Sequence, residues 1–206
     1  MELTQYHQLA ALFGYLLGSV PFGLVITRLA GLGDIREIGS GNIGATNVLR
    51  TGNKGLALAT LLLDSGKGAI AAVIASYWGQ EHALLAGLFA VIGHNFPLWL
   101  KFQGGKGVAT TLGVLIALDW QVGLAACATW LVVALVFRYS SLSALLAFAA
   151  SPFYAYWLSD QKTTTIIALL ALLGIGRHHE NIKRLLKGEE PKIGKKKTLE
   201  DSDKSH

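Results

Sequence analysis

Three stretches of this chain gather residues able to hold phosphate groups. The first reads Gly39-Ser40-Gly41-Asn42-Ile43-Gly44-Ala45-Thr46-Asn47-Val48-Leu49-Arg50. Its glycines let the backbone approach a ligand closely and turn successive N–H groups toward an anion. Ser40, Asn42, Thr46 and Asn47 add neutral hydrogen-bonding groups, and Arg50 adds a planar charged fork. The second reads Phe102-Gln103-Gly104-Gly105-Lys106-Gly107-Val108-Ala109-Thr110-Thr111. Three glycines surround a mobile ammonium just ahead of a helix, whose N-terminus favours anions. The third runs from Arg177 to Glu190 and places His178, Asn181 and Arg184 at three-residue spacing. On a helix that spacing is one face, suited to binding a phosphate or orienting a hydroxyl. An interfacial amphipathic helix without chemistry would show the same pattern. The adjacent His178 and His179 point in different directions, and no carboxylate has the spacing a metal site needs.

Other polar residues interrupt apolar runs. Asp64 and Lys67, three apart, predict an internal ion pair beside the site, because ionisable groups in a membrane pair or mark a functional cavity. His94, near the end of an apolar stretch, reads first as a structural residue supporting the site. The chain contains no Gly-x-Ser-x-Gly elbow, no His-x-x-x-x-Asp pair and no paired aspartates for Mg²⁺. The remaining set of Ser, Asn, Arg, Lys, His and glycine loops suits two anionic substrates, is poor in general bases, and implies neither metal nor cofactor.

The elements that position these groups follow from composition. Of 206 residues, 52% are hydrophobic and 15% charged, against roughly 25% charged in a typical soluble domain. Mean hydropathy is +0.45. Of the 31 Asp, Glu, Lys and Arg, 15 lie in Arg177–His206, so the first 176 residues carry only 16. That excludes both a soluble core of this size and a disordered chain. The single cysteine, Cys127, sits in an apolar run and excludes a disulfide framework. The net charge of +5 arises from basic residues that punctuate apolar segments. That pattern fits membrane orientation and not nucleic acid. The first basic residue is Arg28, after the first apolar run, so no cleavable signal peptide is expected.

The predicted spans are Leu9–Leu32, Gly55–Trp78, Ala83–Leu100, Val108–Leu118, Val122–Phe137, Leu142–Leu158 and Thr163–Ile175, the fourth and seventh short against the roughly 17 to 25 residues a span needs. With the N-terminus outside and seven crossings, 16 of the 18 Lys and Arg fall inside; Lys162 falls outside and Lys67 within a span. This is the asymmetry of the positive-inside rule. Removing one helix spoils it; removing a pair does not. The expected fold is an all-α integral membrane protein, a seven-helix bundle with the C-terminus cytoplasmic. Residues 1–190 form one transmembrane domain, and 191–206 a charged, disordered tail near anionic lipid.

Taken together and in order, these segments resemble the bacterial membrane acylphosphate:glycerol-3-phosphate acyltransferases, the PlsY family. The matching stretches are Gly39-Ser40-Gly41-Asn42 to Arg50; Gly93-His94 with Phe96-Pro97 through Gly104-Gly105-Lys106-Gly107-Val108-Ala109-Thr110; and His178-x-x-Asn181-Ile182-x-Arg184-Leu185. Asp64-x-x-Lys67-Gly68 also looks like that family. The likeness spans about Tyr15 to Glu190, departing where Ile43 replaces a frequent proline and Gln103 a frequent lysine. It implies acyl transfer from an acyl phosphate to the 1-hydroxyl of sn-glycerol 3-phosphate, giving lysophosphatidic acid and phosphate, at the cytoplasmic face of a bacterial inner membrane. The acyl-phosphate-producing enzyme is an implied partner. By resemblance, Ser40, Arg50, Lys106, His178 and Asn181 carry the site. Gly41, Asn42, Thr46, Asn47, Gly104, Gly105, Thr110 and Arg184 bind substrate, with Asp64, Lys67, His94 and Glu190 in support. The competing reading is a transporter of a small phosphorylated anion, which would also collect Arg, Lys and glycine-rich half-helices.

Overall fold

The computed structural model describes residues 5–194, and among these all regular structure is helical. The elements are α1 (Gln5–Gly18), α2 (Phe22–Leu29), α3 (Ala45–Val48), α4 (Lys54–Ser76), α5 (Gln80–Asn95), α6 (Val108–Leu118), α7 (Trp120–Phe137), α8 (Ser140–Leu158), α9 (Gln161–Arg177) and α10 (His179–Leu186). Each of the seven apolar stretches named above carries a helix; Pro21 breaks the first into α1 and α2, and the third leaves α5 after Asn95, at Phe96 and Pro97. Five segments are long and apolar enough to cross a bilayer: Gln5–Leu29, Lys54–Ser76, Gln80–Leu100, Trp120–Phe137 and Ser140–Leu158. Helix α6, with 11 residues, is about 16 Å long, short against a hydrocarbon core of about 30 Å. It packs against α4, α5 and α7 within the bundle. Of the tail expected at 191–206, residues 195–206 lie outside the described residues.

Large apolar side chains face outward. Leu62, Val132, Leu135, Phe153 and Trp157 are all exposed, while the interior holds mainly Ala, Gly and Val with Thr and Ser. A surface of this kind is solvated by hydrocarbon, and association then rests on close backbone approach. The α1–α5 pair shows this directly. A Cβ on Gly18 would lie 2.0 Å from the Ala90 carbonyl oxygen, and one on Gly14 2.2 Å from that of Ala86. The Gly-x-x-x-Gly spacing in α1 thus makes a groove that only glycine permits.

The two ends of the bundle differ. At one, short turns are tied by Lys162–Glu81 (2.5 Å) and Gln80–Asp160 (2.5 Å), by a Ser159–Asp119 hydrogen bond, and by Asp119 and Asp160 capping α7 and α9. Tyr77, Trp78, Trp120 and Trp157 cluster exposed at this end, as aromatic side chains do where hydrocarbon meets water. At the other end lie the long connections 30–53 and 96–107 and the segment after α9. The break in the first helix explains the lysine inside α4. At the break the Val20 carbonyl leaves the helical ladder, and Lys67 Nζ donates to it at 2.7 Å, 5.6 Å from the Phe22 ring centroid. It also pairs with Asp64 at 2.7 Å, which is the internal ion pair the three-residue spacing predicts.

Candidate functional site

The first loop is held by its apolar residues. Ile35, Ile43 and Val48 pack with Leu24 and Ala57, pinning the loop onto α2 and α4. Asp34 sits between Arg28 (2.7 Å) and Arg36, accepts the Arg36 backbone N–H, and is held well below the usual carboxylate range by those donors. Asn47, 1% exposed, is the loop's hub. Its Nδ2 donates to the carbonyls of Ile35 and Ile38, both at 2.9 Å, and its Oδ1 accepts from the Ser40 N–H (3.1 Å) and Arg50 Nη1 (3.3 Å). Gly39, with φ +57, leaves room for this: a Cβ there would lie 2.5 Å from Asn47 Oδ1. Ser40 is exposed, and Asn42, Thr46 and Arg50 are half-buried. Asn47 is thus a buried scaffold holding Ser40 and Arg50, not a group open to substrate. Thr46 hydrogen-bonds Ser140 at 3.1 Å and joins this loop to α8.

The second loop turns on α5. The Gly104 N–H donates to the Asn95 carbonyl (3.2 Å) and the Gly105 N–H to that of His94 (3.0 Å). Their carbonyls accept from Arg177, whose guanidinium also stacks over Phe96 at 4.9 Å. The N–H groups of these two glycines are thus engaged within the turn, which they shape. Gly107, with φ +78, then starts α6. Thr110 is fully buried against α4 rather than facing the loop.

The third segment closes the site. His178 is the residue between α9 and α10, and only the latter continues its three-residue spacing. Lys106 Nζ donates to Asn181 Oδ1 at 2.5 Å; Asn181 Nδ2 donates to Glu190 Oε1 at 2.7 Å; Arg184 Nε donates to Glu190 Oε2 at 2.7 Å. Arg50 lies within the electrostatic reach of both Arg184 and Glu190. Burial works against the charge of Glu190, but the donors of Ser141, Asn181 and Arg184 together outweigh it and hold the carboxyl below its ordinary value. Burial pushes the Lys106 ammonium down to about 8, and the Arg184, Arg50 and Arg177 charges oppose it further, while Glu190 supports it. Burial also pushes His178 down to about 4. Its Nδ1 lies 2.7 Å from the Gly174 carbonyl, so the neutral ring donates there and leaves Nε2 as an acceptor. Beyond α10 the chain runs back to the α7–α8 turn, where the Ile193 N–H donates to the Arg138 carbonyl at 2.7 Å.

The structure therefore brings Ser40, Arg50, Lys106, His178, Asn181, Arg184 and Glu190 to one end of the bundle. It places Asp64, Lys67 and His94 in the interior beneath the second loop. Arg177, Asn95 and Tyr15 are missed by the sequence reading. Tyr15 donates to the Phe96 carbonyl (2.8 Å) and accepts the Leu98 N–H (3.0 Å), bracing the turn before the second loop. Arg177 carried a visible signal, a basic residue at a helix end next to His178, but the sequence offered a positive-inside role for it just as readily.

A lipid-embedded helical bundle with a crowded cationic site at one end defines a membrane enzyme for phosphorylated substrates. Comparison makes this specific. The family described as glycerol-3-phosphate acyltransferase matches residues 8–188. A glycerol-3-phosphate acyltransferase of Rhodospirillum rubrum is 68% identical over 196 residues, covering 91% of each chain. One of Paramagnetospirillum magneticum is 64% identical over 194 residues, covering 93% of this chain and 96% of its own. Two crystal structures of PlsY, an integral membrane glycerol 3-phosphate acyltransferase, superpose well. The glycerol 3-phosphate form has a TM-score of 0.86 at 39% identity, covering 91% of this chain and 96% of the other. The lysophosphatidic acid form has a TM-score of 0.84 at 38% identity, covering 91% and 95%. The chain belongs to the glycerol-3-phosphate acyltransferase family. It is an acyltransferase of phospholipid biosynthesis, and the transporter reading falls.

Proposed function

We propose that the chain transfers a fatty acyl group from an acyl phosphate to the 1-hydroxyl of glycerol 3-phosphate at the cytoplasmic face of a bacterial inner membrane. Residues 1–190 form one acyltransferase domain crossing the membrane seven times with the N-terminus outside, and 191–206 a charged tail. The observation that carries the reading is the convergence of Arg50, Lys106 and Arg184 on the Asn181–Glu190 pair, where one acidic side chain faces three cations. A site with that excess of positive charge stabilises phosphate oxyanions.

An acyl phosphate is a mixed anhydride with a good leaving group, so orientation and charge stabilisation suffice. The Ser40–Asn42 loop holds the acyl-phosphate head, and Arg50 and Lys106 bind phosphate oxygens. Neutral His178, accepting through Nε2, orients the glycerol hydroxyl together with Asn181. The hydroxyl oxygen adds to the acyl carbon, the carbon–oxygen bond to phosphate breaks, and the hydroxyl proton leaves on the phosphate, so no base need be consumed. A helical bundle open to hydrocarbon on its sides admits the acyl chain while both phosphates arrive from water. Purified protein given palmitoyl phosphate and glycerol 3-phosphate should form lysophosphatidic acid and one phosphate per ester. Comparable turnover with palmitoyl-CoA would refute the choice of donor.

A further inference from the structure

His94 is buried in the last turn of α5, with its Nδ1 3.7 Å from Asp64 Oδ1 and without a hydrogen-bond partner. Its position is set by what lies above it. A Cβ built on Gly105 would stand 2.1 Å from His94 Nε2 and 3.0 Å from both Cδ2 and Cε1, and those are its three nearest atoms. Gly105 has no positive φ, and the nearest atoms a side chain would meet there belong to the ring and not to backbone. The imidazole edge is therefore the surface on which the loop rests, one residue before Lys106. The same residue's carbonyl accepts the Gly105 N–H at 3.0 Å. Backbone and side chain of one residue thus hold the loop at two points, while Arg177 holds its carbonyls from the other side.

We propose that His94 is a positioning residue for the second loop: its ring sets the height of Gly105, and so places the Lys106 ammonium against Asn181. This rests on Lys106 binding phosphate, as proposed above. It explains why a bulky buried ring faces a glycine with ordinary backbone geometry. Ring and hydrogen atom fit as a complementary pair, and the pairing is testable as one.

The contrast with Gly104 makes the test specific. A Cβ on Gly104 meets the His94 carbonyl oxygen at 2.1 Å, Pro97 Cδ at 2.5 Å and the Asn95 carbonyl oxygen at 2.7 Å, none of which is the imidazole. Removing the ring frees space at Gly105 and none at Gly104. The full-length protein in detergent is assayed with palmitoyl phosphate and glycerol 3-phosphate as Gly105→Ala, Gly104→Ala, His94→Ala, and each glycine variant combined with His94→Ala. Gly105→Ala should lose about 100-fold in kcat/KM, the scale of misplacing one oriented charged donor. His94→Ala should lose about tenfold, in kcat more than in the KM for glycerol 3-phosphate. The His94→Ala/Gly105→Ala double variant should recover at least tenfold over Gly105→Ala, because the new methyl occupies the vacated space. Gly104→Ala should gain nothing from His94→Ala. Rates are taken per folded, monodisperse protein; if His94→Ala does not fold, His94→Ser opens the same space and takes its place. A double variant no more active than Gly105→Ala, or equal recovery at Gly104, overturns the proposal. An active Lys106→Ala in the same series would instead refute the phosphate role of the loop.

Discussion

Replacing Lys106 by Ala is expected to remove about 100- to 1000-fold of activity, which is the effect of about 3 to 4 kcal/mol from one oriented donor on a developing oxyanion. The structure adds a pH signature to that loss. Burial, reinforced by Arg184, Arg50 and Arg177, lowers the ammonium from its ordinary 10.5 to about 8. The group binds phosphate only when protonated, so the active form predominates below about pH 8 and is lost as pH rises through it. At neutral pH about nine-tenths of the molecules carry the charge; each further unit above the midpoint removes it about tenfold. The kcat/KM of the wild type should therefore fall about tenfold per unit above about pH 8, since that quantity reports the free enzyme. Lys106→Arg carries a guanidinium that does not titrate in this range. It should be slower at pH 7, because a planar fork fits the glycine turn poorly, yet flat from pH 8 to 10. The assay is initial-rate release of phosphate in detergent, with Lys101→Ala as control: Lys101 is exposed and outside the site, so its loss should change little. If the Arg variant keeps the same basic limb, or Lys101→Ala and Lys106→Ala behave alike, the reasoning about this loop fails.

His178 titrates at about 4 when folded against an ordinary 6.5, so the unfolded chain binds the extra proton between those values. The stability it contributes is complete above about pH 6.5 and declines toward pH 4; melting temperature in detergent should drop across that window, and His178→Gln should flatten part of the drop. Equal slopes would show that His178 is not buried neutral. Orientation is checked with single cysteines in a Cys127→Ala background. An impermeant thiol reagent applied to intact cells should label position 161, an exposed residue beginning α9, and spare position 186, which is 84% exposed at the opposite end; the reverse pattern refutes the orientation. Gly18→Leu puts a side chain into the Ala90 backbone, at a cost of at least about 1 to 3 kcal/mol, and should shift the protein toward aggregates on gel filtration. Gly66→Ala, where a Cβ meets nothing within 4 Å, should leave the profile unchanged, and equal behaviour would disprove the α1–α5 packing argument.

Much of this protein is legible without coordinates. In hydrocarbon, every backbone polar group must be satisfied locally, so apolar runs of this length become helices whatever their neighbours do. The basic residues of the loops support the proposed orientation by the same independence from packing. The Asp64–Lys67 pair also follows from spacing alone, because three residues apart is one face of any helix. Helices α6 and α9 show where that legibility ends. Their shortness is plain in sequence, but only packing shows that α6 lies within the bundle, flanked by α4, α5 and α7.

The site divides along the same line. Sequence alone offers the groups proposed to meet phosphate, because Arg, Lys and glycine loops carry that chemistry in their residue types. It could not determine which of them face substrate and which hold the scaffold. Asn47 and Asn42 look alike in one dimension, yet Asn47 is buried with five side-chain hydrogen bonds and Asn42 is half-buried. Gly104 and Gly105 read as substrate-binding residues by resemblance, and their N–H groups close onto α5. Arg177 reads as one more cytoplasmic charge, yet it clamps that turn from 72 and 73 residues away. Such contacts join residues far apart in the chain, and a hydrogen bond formed at 3 Å depends on where whole helices come to rest. Helix formation is a local consequence of composition in a bilayer; the placing of one donor against one acceptor is decided only when the helices have packed.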